Sequence, residues 1–109
     1  MIDEATYRQH VEDTMRKIDA AFEAVDPDLA ESEYSQGTLV ITFAQSHKLI
    51  VSPQAPLRQI WLAFRDRAWH FTEDAATGRW LDDRGQGVEL LQLVASLALE
   101  HAGVAVHPG

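Results

Sequence analysis

The stretch SPQAPLRQIWLAFRDRAWHF, residues 52–71, decides the fold because it predicts a strand with one apolar face and one face that carries a tryptophan. Side chains alternate between the two faces of a strand. If residues 59–64 form a strand, its apolar face belongs to the core and consists of Ile60, Leu62 and Phe64. The opposite face then carries Gln59, Trp61 and Ala63.

Trp61 has two interpretations. An exposed indole beside an amide side chain is typical of a contact point for a partner protein. The alternative is a tryptophan covered by a loop, since exposed apolar residues are common in ordinary domains. Alternation against Trp69 and Phe71 places His70 on the same face as Trp61. For His70 alone a solvated surface histidine is the simpler interpretation, because nothing near it in sequence completes a metal or catalytic set.

The two ends of the chain have helical periodicity. Apolar residues recur at spacings of three and four over residues 4–25, and Pro27 follows as a helix terminator. A second apolar stripe runs from Leu90 to His101, and Gly103 stands in the position of a C-cap. The chain is therefore predicted to begin and end with an amphipathic helix.

The middle of the chain is predicted to form strands. We expect six of them, at about residues 33–36, 38–44, 48–52, 58–64, 68–72 and 79–82. Residues 45–47 form a short turn, and Pro53 and Pro56 delimit the connection before the fourth strand. Two helices with one apolar stripe each can bury those stripes by packing on one side of an antiparallel sheet. The predicted fold is an α+β two-layer sandwich whose other sheet face stays in contact with water.

The composition indicates one domain, residues 1–109, long enough to bury about two thirds of its unfolded surface. The chain has no cysteine, which excludes disulfides, thiolate metal ligands and a cysteine nucleophile. No apolar run approaches the roughly 20 residues of a membrane span, and the acidic N-terminus is unlike a signal peptide. We expect a soluble, cytoplasmic protein.

Negative charge is concentrated at the N-terminal end. Of 17 acidic residues, ten lie in the first 33 positions beside three basic ones, which gives a charge of about −7 there against about −1 for the rest. Such a surface repels phosphate, so direct nucleic-acid binding is not expected. It attracts cations or a basic protein surface.

Many of these acids are predicted to form one ridge. On the first helix four of them are separated by seven, four and three residues, which places them on one helix face. Three more continue the pattern through the following loop into the first strand. We call this set the acidic ridge: Glu12, Asp19, Glu23, Asp26, Asp28, Glu31 and Glu33.

The acidic ridge also has two interpretations. Surface carboxylates bind hard or borderline cations through oxygen and leave several waters in place. Iron fits this chemistry, but Fe(II) ranks low in the divalent affinity order, so such sites are weak and Ca, Mg and Mn should compete. The alternative is a solvated face that maintains solubility, in which Arg16 pairs with Glu12 and Asp19 at helical spacing.

Strong catalytic signatures are absent from the sequence. It has no Gly-rich phosphate loop, no HExxH and no GxSxG motif. The carboxylates lie on faces predicted to be exposed, whereas acid–base catalysis favours an apolar pocket that separates their pKa values. We therefore expect a protein that is not an enzyme.

One further pattern spans nearly the whole chain. It comprises Gln54, Pro56, QIWLA at residues 59–63, His70-Phe71, Trp80 and Asp83-Arg84. Together these residues resemble the frataxin family, in its bacterial CyaY branch. Two positions depart from the family pattern: Ser52 stands where Asn is usual, and Asp66-Arg67 occupy a turn that is usually Gly-rich.

The resemblance implies a function. Frataxin-like proteins bind iron, Fe2+ or Fe3+, weakly along this acidic edge, and they dock on the cysteine desulfurase and scaffold protein that build iron–sulfur clusters. The acidic ridge is then the expected iron site. The expected partner-binding residues are Gln54, Gln59, Trp61 and His70.

The expected role is therefore to regulate iron–sulfur cluster assembly or supply iron to it, and a monomer is the expected state. The alternative is a small acidic interaction module that sequesters or inhibits a basic protein partner. Metal binding would then be incidental.

Overall fold

The computed structural model describes residues 2–109, which form a six-stranded sheet and two long helices. Every strand pairs antiparallel with the next one along the chain, so the sheet order is β1-β2-β3-β4-β5-β6. The elements are α1 (Glu4–Ala21), β1 (Ala30–Ser35), β2 (Thr38–Phe43), β3 (Lys48–Gln54), a short 3-10 helix (Ala55–Leu57), β4 (Gln59–Phe64), β5 (Arg67–Glu73), β6 (Trp80–Asp82) and α2 (Leu90–Ala102). The predicted α+β fold class is confirmed.

The two helices bury one face of the sheet. The apolar stripe of α1 is almost fully buried, as are the inward residues of α2. Opposite them lie the inward side chains of the central strands, which include the predicted core residues Ile60, Leu62 and Phe64. This register is strongly specified, because a slip of one residue would move every apolar side chain of the strand to the water-facing side.

Both helices have well-defined ends. The side chain of Asp3 accepts a hydrogen bond from the Thr6 N–H at 2.8 Å and caps α1. The side chain of Glu89 caps α2 in the same way, through the N–H groups of its first turn. Gly103 ends α2 with a φ of 68°, the left-handed C-cap that the sequence predicted.

The α1 helix ends at Ala21, four residues before the predicted end. The chain tightens there, because the N–H groups of Phe22 and Val25 bond to carbonyls only three residues back. The Asp26 side chain then accepts the Asp28 N–H at 2.9 Å and turns the chain toward the sheet. Asp26 and Asp28 therefore lie in a turn.

Two strand boundaries also differ from prediction by two or more residues. β1 begins at Ala30, since this residue is fully buried and pairs with Phe43. β3 runs through Pro53, which was predicted to lie in a connection. The pairing between β2 and β3 ends at Val51, so the missing N–H of Pro53 disrupts no bond to β2.

Neither helix in the described part of the chain is both long and apolar enough to cross a membrane.

Candidate functional site

The sheet face that the helices leave uncovered, here called the open face, carries residues from several strands. On β1, Ser32 and Tyr34 are half-buried and point to the helix side, so Glu31 and Glu33 are exposed on the open face. On β4 the inward positions are Ile60 and Leu62, which places Trp61 between them on the open face.

Trp61 and His70 form a parallel stack on the open face. They are direct cross-strand partners in the β4–β5 pair, their ring centroids are 4.1 Å apart, and their planes differ by 11°. Both residues are half-buried, in part by one another. The predicted placement of both rings on the open face therefore agrees with the structure, and His70 contacts an aromatic ring as well as solvent.

The side-chain amide of Gln59 fixes the edge of this stack. Its Oε1 accepts the Trp61 indole N–H at 2.8 Å. Its Nε2 donates to the Thr72 hydroxyl at 3.3 Å and to the Asp83 carboxylate at 3.2 Å. The same carboxylate lies 3.7 Å from Nδ1 of His70. Gln59, Trp61, His70 and Asp83 thus form one connected group.

Asp82 supports the loop that carries Asp83. Its carboxylate accepts the N–H groups of Arg84, Gln86 and Val88 at 3.2, 3.2 and 2.8 Å. Burial alone would raise the pKa of Asp82, but these backbone donors outweigh it and hold the pKa below its ordinary value. The ionised carboxylate is therefore part of the folded loop.

Gln54 lies one strand away from this group. It is half-buried on the open face of β3 and pairs with Gln59. Its backbone N–H donates to the Tyr7 hydroxyl at 3.1 Å, and that hydroxyl donates to the Gln59 carbonyl at 2.5 Å. Burial raises the pKa of Tyr7. The four predicted partner-binding residues are thus brought to one half of the open face.

The acidic ridge wraps around the β1 edge of the sheet. On its helix side, Asp19, Glu23 and Glu31 line a shallow groove of about 220 Å³. On the open face, Glu31 and Glu33 line a second groove of about 360 Å³ that also includes Lys48. Glu31 belongs to both grooves and joins the two halves of the ridge.

The other ridge residues are more dispersed. Glu12 pairs with Arg16 at 2.7 Å, whereas Asp19, the other predicted partner of Arg16, accepts the Ser32 hydroxyl at 2.5 Å. Asp26 and Asp28 lie in the turn after α1. Within residues 2–109, no three His, Asp or Glu side chains converge in an arrangement suited to holding a metal ion. The ridge is therefore a string of exposed or half-exposed carboxylates.

The sequence alone indicates no site role for four residues of this group: Tyr7, Thr72, Asp82 and Asp83. Tyr7 lies in the apolar stripe of the first helix, and Thr72 and Asp82 end predicted strands. Asp83 belongs to the family pattern, which implies no role for it. An aspartate pair followed by a Gly-rich loop was the available signal for Asp82 and Asp83, because such loops need side-chain acceptors for their N–H groups.

Comparison with known proteins identifies the family of the chain. Residues 1–104 match the model of the frataxin-like domain. The chain belongs to the frataxin-like family. It is 39% identical over 100 residues to the iron-sulfur cluster assembly protein CyaY of Azotobacter vinelandii, covering 92% of this chain and 89% of that protein. It is 36% identical over 109 residues to the CyaY protein of Pseudomonas aeruginosa, covering 99% of each.

Solved structures show the same frataxin-like fold. Frataxin from Psychromonas ingrahamii superposes with a TM-score of 0.88 at 24% identity, covering 99% of both chains. Trimeric yeast frataxin from Saccharomyces cerevisiae, complexed with ferrous iron, superposes with a TM-score of 0.62 at 23% identity, covering 95% of this chain and 89% of that one. At these identities the comparison supports the fold.

Proposed function

We propose that this frataxin-like protein regulates iron–sulfur cluster assembly, or supplies iron to it, by docking its open face on the cysteine desulfurase and scaffold protein. One observation carries the proposal: Glu31 and Glu33 at the β1 edge and the Trp61–His70 stack lie on the same uncovered face of the sheet. Relatives that match nearly the whole chain are named iron-sulfur cluster assembly proteins.

The two parts of the open face have different roles in docking. The stack offers a flat aromatic surface, and tryptophan is among the residues that dominate binding energy at protein interfaces. The carboxylates at the β1 edge carry negative charge, which steers a basic partner surface toward the face and sets the orientation of the encounter. The energy of the contact therefore comes mainly from the aromatic stack on β4 and β5. The carboxylates on β1 orient the partner.

The acidic ridge is the proposed place for iron, which is a cargo here. Carboxylate oxygens suit a hard or borderline cation. Because no three ligands converge within residues 2–109, each iron ion is held by one or two carboxylates with water at its other positions. Such binding is weak and exchanges readily, which suits a protein that passes iron on or senses its level.

Glu31 lies between the proposed iron site and the proposed docking surface. It lines both the helix-side groove and the open-face groove of the ridge. A partner seated on the open face would approach one side of Glu31 while a cation on the helix side approaches the other. Iron on the ridge would then lie at the margin of the docked complex.

The proposal is tested by measuring the affinity of the protein for a purified bacterial cysteine desulfurase–scaffold complex at several salt concentrations. We expect association to weaken steeply as salt rises through about 0.15 M, where the screening length is about 8 Å. The double variant Glu31→Gln/Glu33→Gln should bind more weakly and show a shallower salt dependence. Asp66→Asn/Glu100→Gln is the control, since it removes the same charge from exposed positions outside the ridge.

Iron binding is tested with Fe(II), or Co(II) as a surrogate, at physiological salt with excess Mg. Amide signals of the ridge residues Asp19, Glu23, Asp26, Asp28, Glu31 and Glu33 should be perturbed before any others. Perturbation centred on the histidines would contradict the ridge as the iron site. Binding to basic proteins in general, with no preference for the desulfurase–scaffold complex, would favour the acidic interaction module instead.

A further inference from the structure

We propose that Asp83 is a positioning residue for the docking face, because its carboxylate fixes the orientation of the Gln59 amide and, through it, of the Trp61 indole. The proposal rests on two hydrogen bonds. Gln59 Nε2 donates to the Asp83 carboxylate at 3.2 Å, and the Trp61 indole N–H donates to Gln59 Oε1 at 2.8 Å. The effect on partner binding rests on the proposed function; the effect on the indole does not.

The hydrogen-bonding chemistry of the three groups determines the orientation of the Gln59 amide. An ionised carboxylate only accepts hydrogen bonds, an indole N–H only donates one, and a side-chain amide has one end of each kind. Asp83 therefore draws the NH₂ end of Gln59 toward itself and leaves the oxygen facing Trp61. A flipped amide would place oxygen against carboxylate and NH₂ against indole N–H, which loses both bonds.

Hydrogen bonds hold the backbone around Asp83 in place. Its backbone N–H donates to the His70 carbonyl at 2.9 Å, which ties the start of the loop to β5. The preceding residue, Asp82, accepts three backbone N–H groups and closes the loop on itself. The Asp83 carboxylate is consequently presented from a fixed backbone, although the side chain itself is at the surface.

The consequence is a tryptophan that is ordered before a partner arrives. Its edge is tied by Gln59, and one ring face is covered by His70. Its cross-strand partner on the other side is Ser52, which has a much smaller side chain than His70. Ordering a large side chain in advance lowers the entropic cost of binding.

The test measures hydrogen exchange of the Trp61 indole N–H in the free protein. Asp83→Ala should accelerate this exchange roughly three- to tenfold, the range expected for one hydrogen bond. Exchange of the Leu62 backbone N–H, in the buried part of the same strand, should not change. Asp66→Ala is the control, since it makes the same substitution at an exposed site in the β4–β5 turn. Unchanged indole exchange in Asp83→Ala would overturn the proposal, as would equal acceleration at Leu62, which would indicate a general structural role.

A double variant tests whether Asp83 acts through Gln59. In a Gln59→Ala background, Asp83→Ala should cause no further acceleration at the indole; a full additional effect would overturn the mechanism. In a binding assay with the purified desulfurase–scaffold complex, Asp83→Ala should weaken affinity roughly three- to tenfold, as expected when one ordering bond is lost. If the wild-type protein fails to bind, the proposed function fails, and indole exchange still decides the role of Asp83.

Discussion

The hydroxyl of Tyr7 donates a hydrogen bond to the backbone carbonyl of Gln59 at 2.5 Å, across 52 positions of sequence. It also accepts the backbone N–H of Gln54 at 3.1 Å. One buried side chain of α1 therefore joins the ends of β3 and β4, where two of the proposed partner-binding residues lie. The helix layer thus supports the open face from behind.

Replacing Tyr7 with phenylalanine should lower the free energy of unfolding by about 1–3 kcal/mol, because the Gln54 N–H and the Gln59 carbonyl both lose a partner in a partly buried place. Urea unfolding measures this. Tyr34→Phe is the control, since it removes the same hydroxyl from a half-buried tyrosine in β1. Equal losses in the two variants would contradict the bridging role of Tyr7.

Asp82 makes stability depend on acid pH. Its pKa lies below the ordinary value of 3.8 because backbone donors favour the charged form over the effect of burial. The contribution of Asp82 is therefore complete above the unfolded pKa and is lost as pH falls through the folded pKa. Asp82→Ala should lower the Tm at pH 7, and the difference from wild type should shrink below about pH 4. Thermal melts from pH 7 to pH 2 measure this; a difference that is constant across the range would contradict it.

The ridge acids should differ in their effect on stability. Glu23→Gln should leave stability equal or slightly higher, since clustered like charges repel in the folded state. Asp26→Ala should lower the free energy of unfolding by about 1 kcal/mol, because the turn after α1 loses the acceptor for the Asp28 N–H. Asp26→Asn keeps an acceptor oxygen and removes the charge, so it separates the two effects. A loss in Glu23→Gln as large as in Asp26→Ala would show that Glu23 is structural.

The sheet and the placement of the aromatic stack could be predicted because they depend on local alternation. Ile60 and Leu62 had to face the core, which fixed the direction of Trp61, and the same rule placed His70. The C-cap of α2 at Gly103 could also be predicted, since a glycine directly after an apolar helical pattern is a strong local signal for the end of a helix.

The remaining features depend on contacts between distant residues. The start of β1 at Ala30 is set by pairing with Phe43, and the continuation of β3 through Pro53 depends on where β2 ends. Asp83 meets Gln59 only because β5 pairs with both β4 and β6. The sequence pattern of the loop after β6 could not indicate which side chain the Asp83 carboxylate orients.

The most direct test of the proposed docking face is the affinity of Trp61→Ala for the purified cysteine desulfurase–scaffold complex, measured beside its thermal melt and that of Leu62→Ala. Losing the stack should cost Trp61→Ala about 1 kcal/mol of stability, whereas Leu62→Ala should cost about 2–5 kcal/mol through the cavity that it leaves. We predict that Trp61→Ala folds and binds at least about 30-fold more weakly, the effect of an interface hot spot. Wild-type affinity in Trp61→Ala, or a melt as early as that of Leu62→Ala, would contradict the open face as the docking surface.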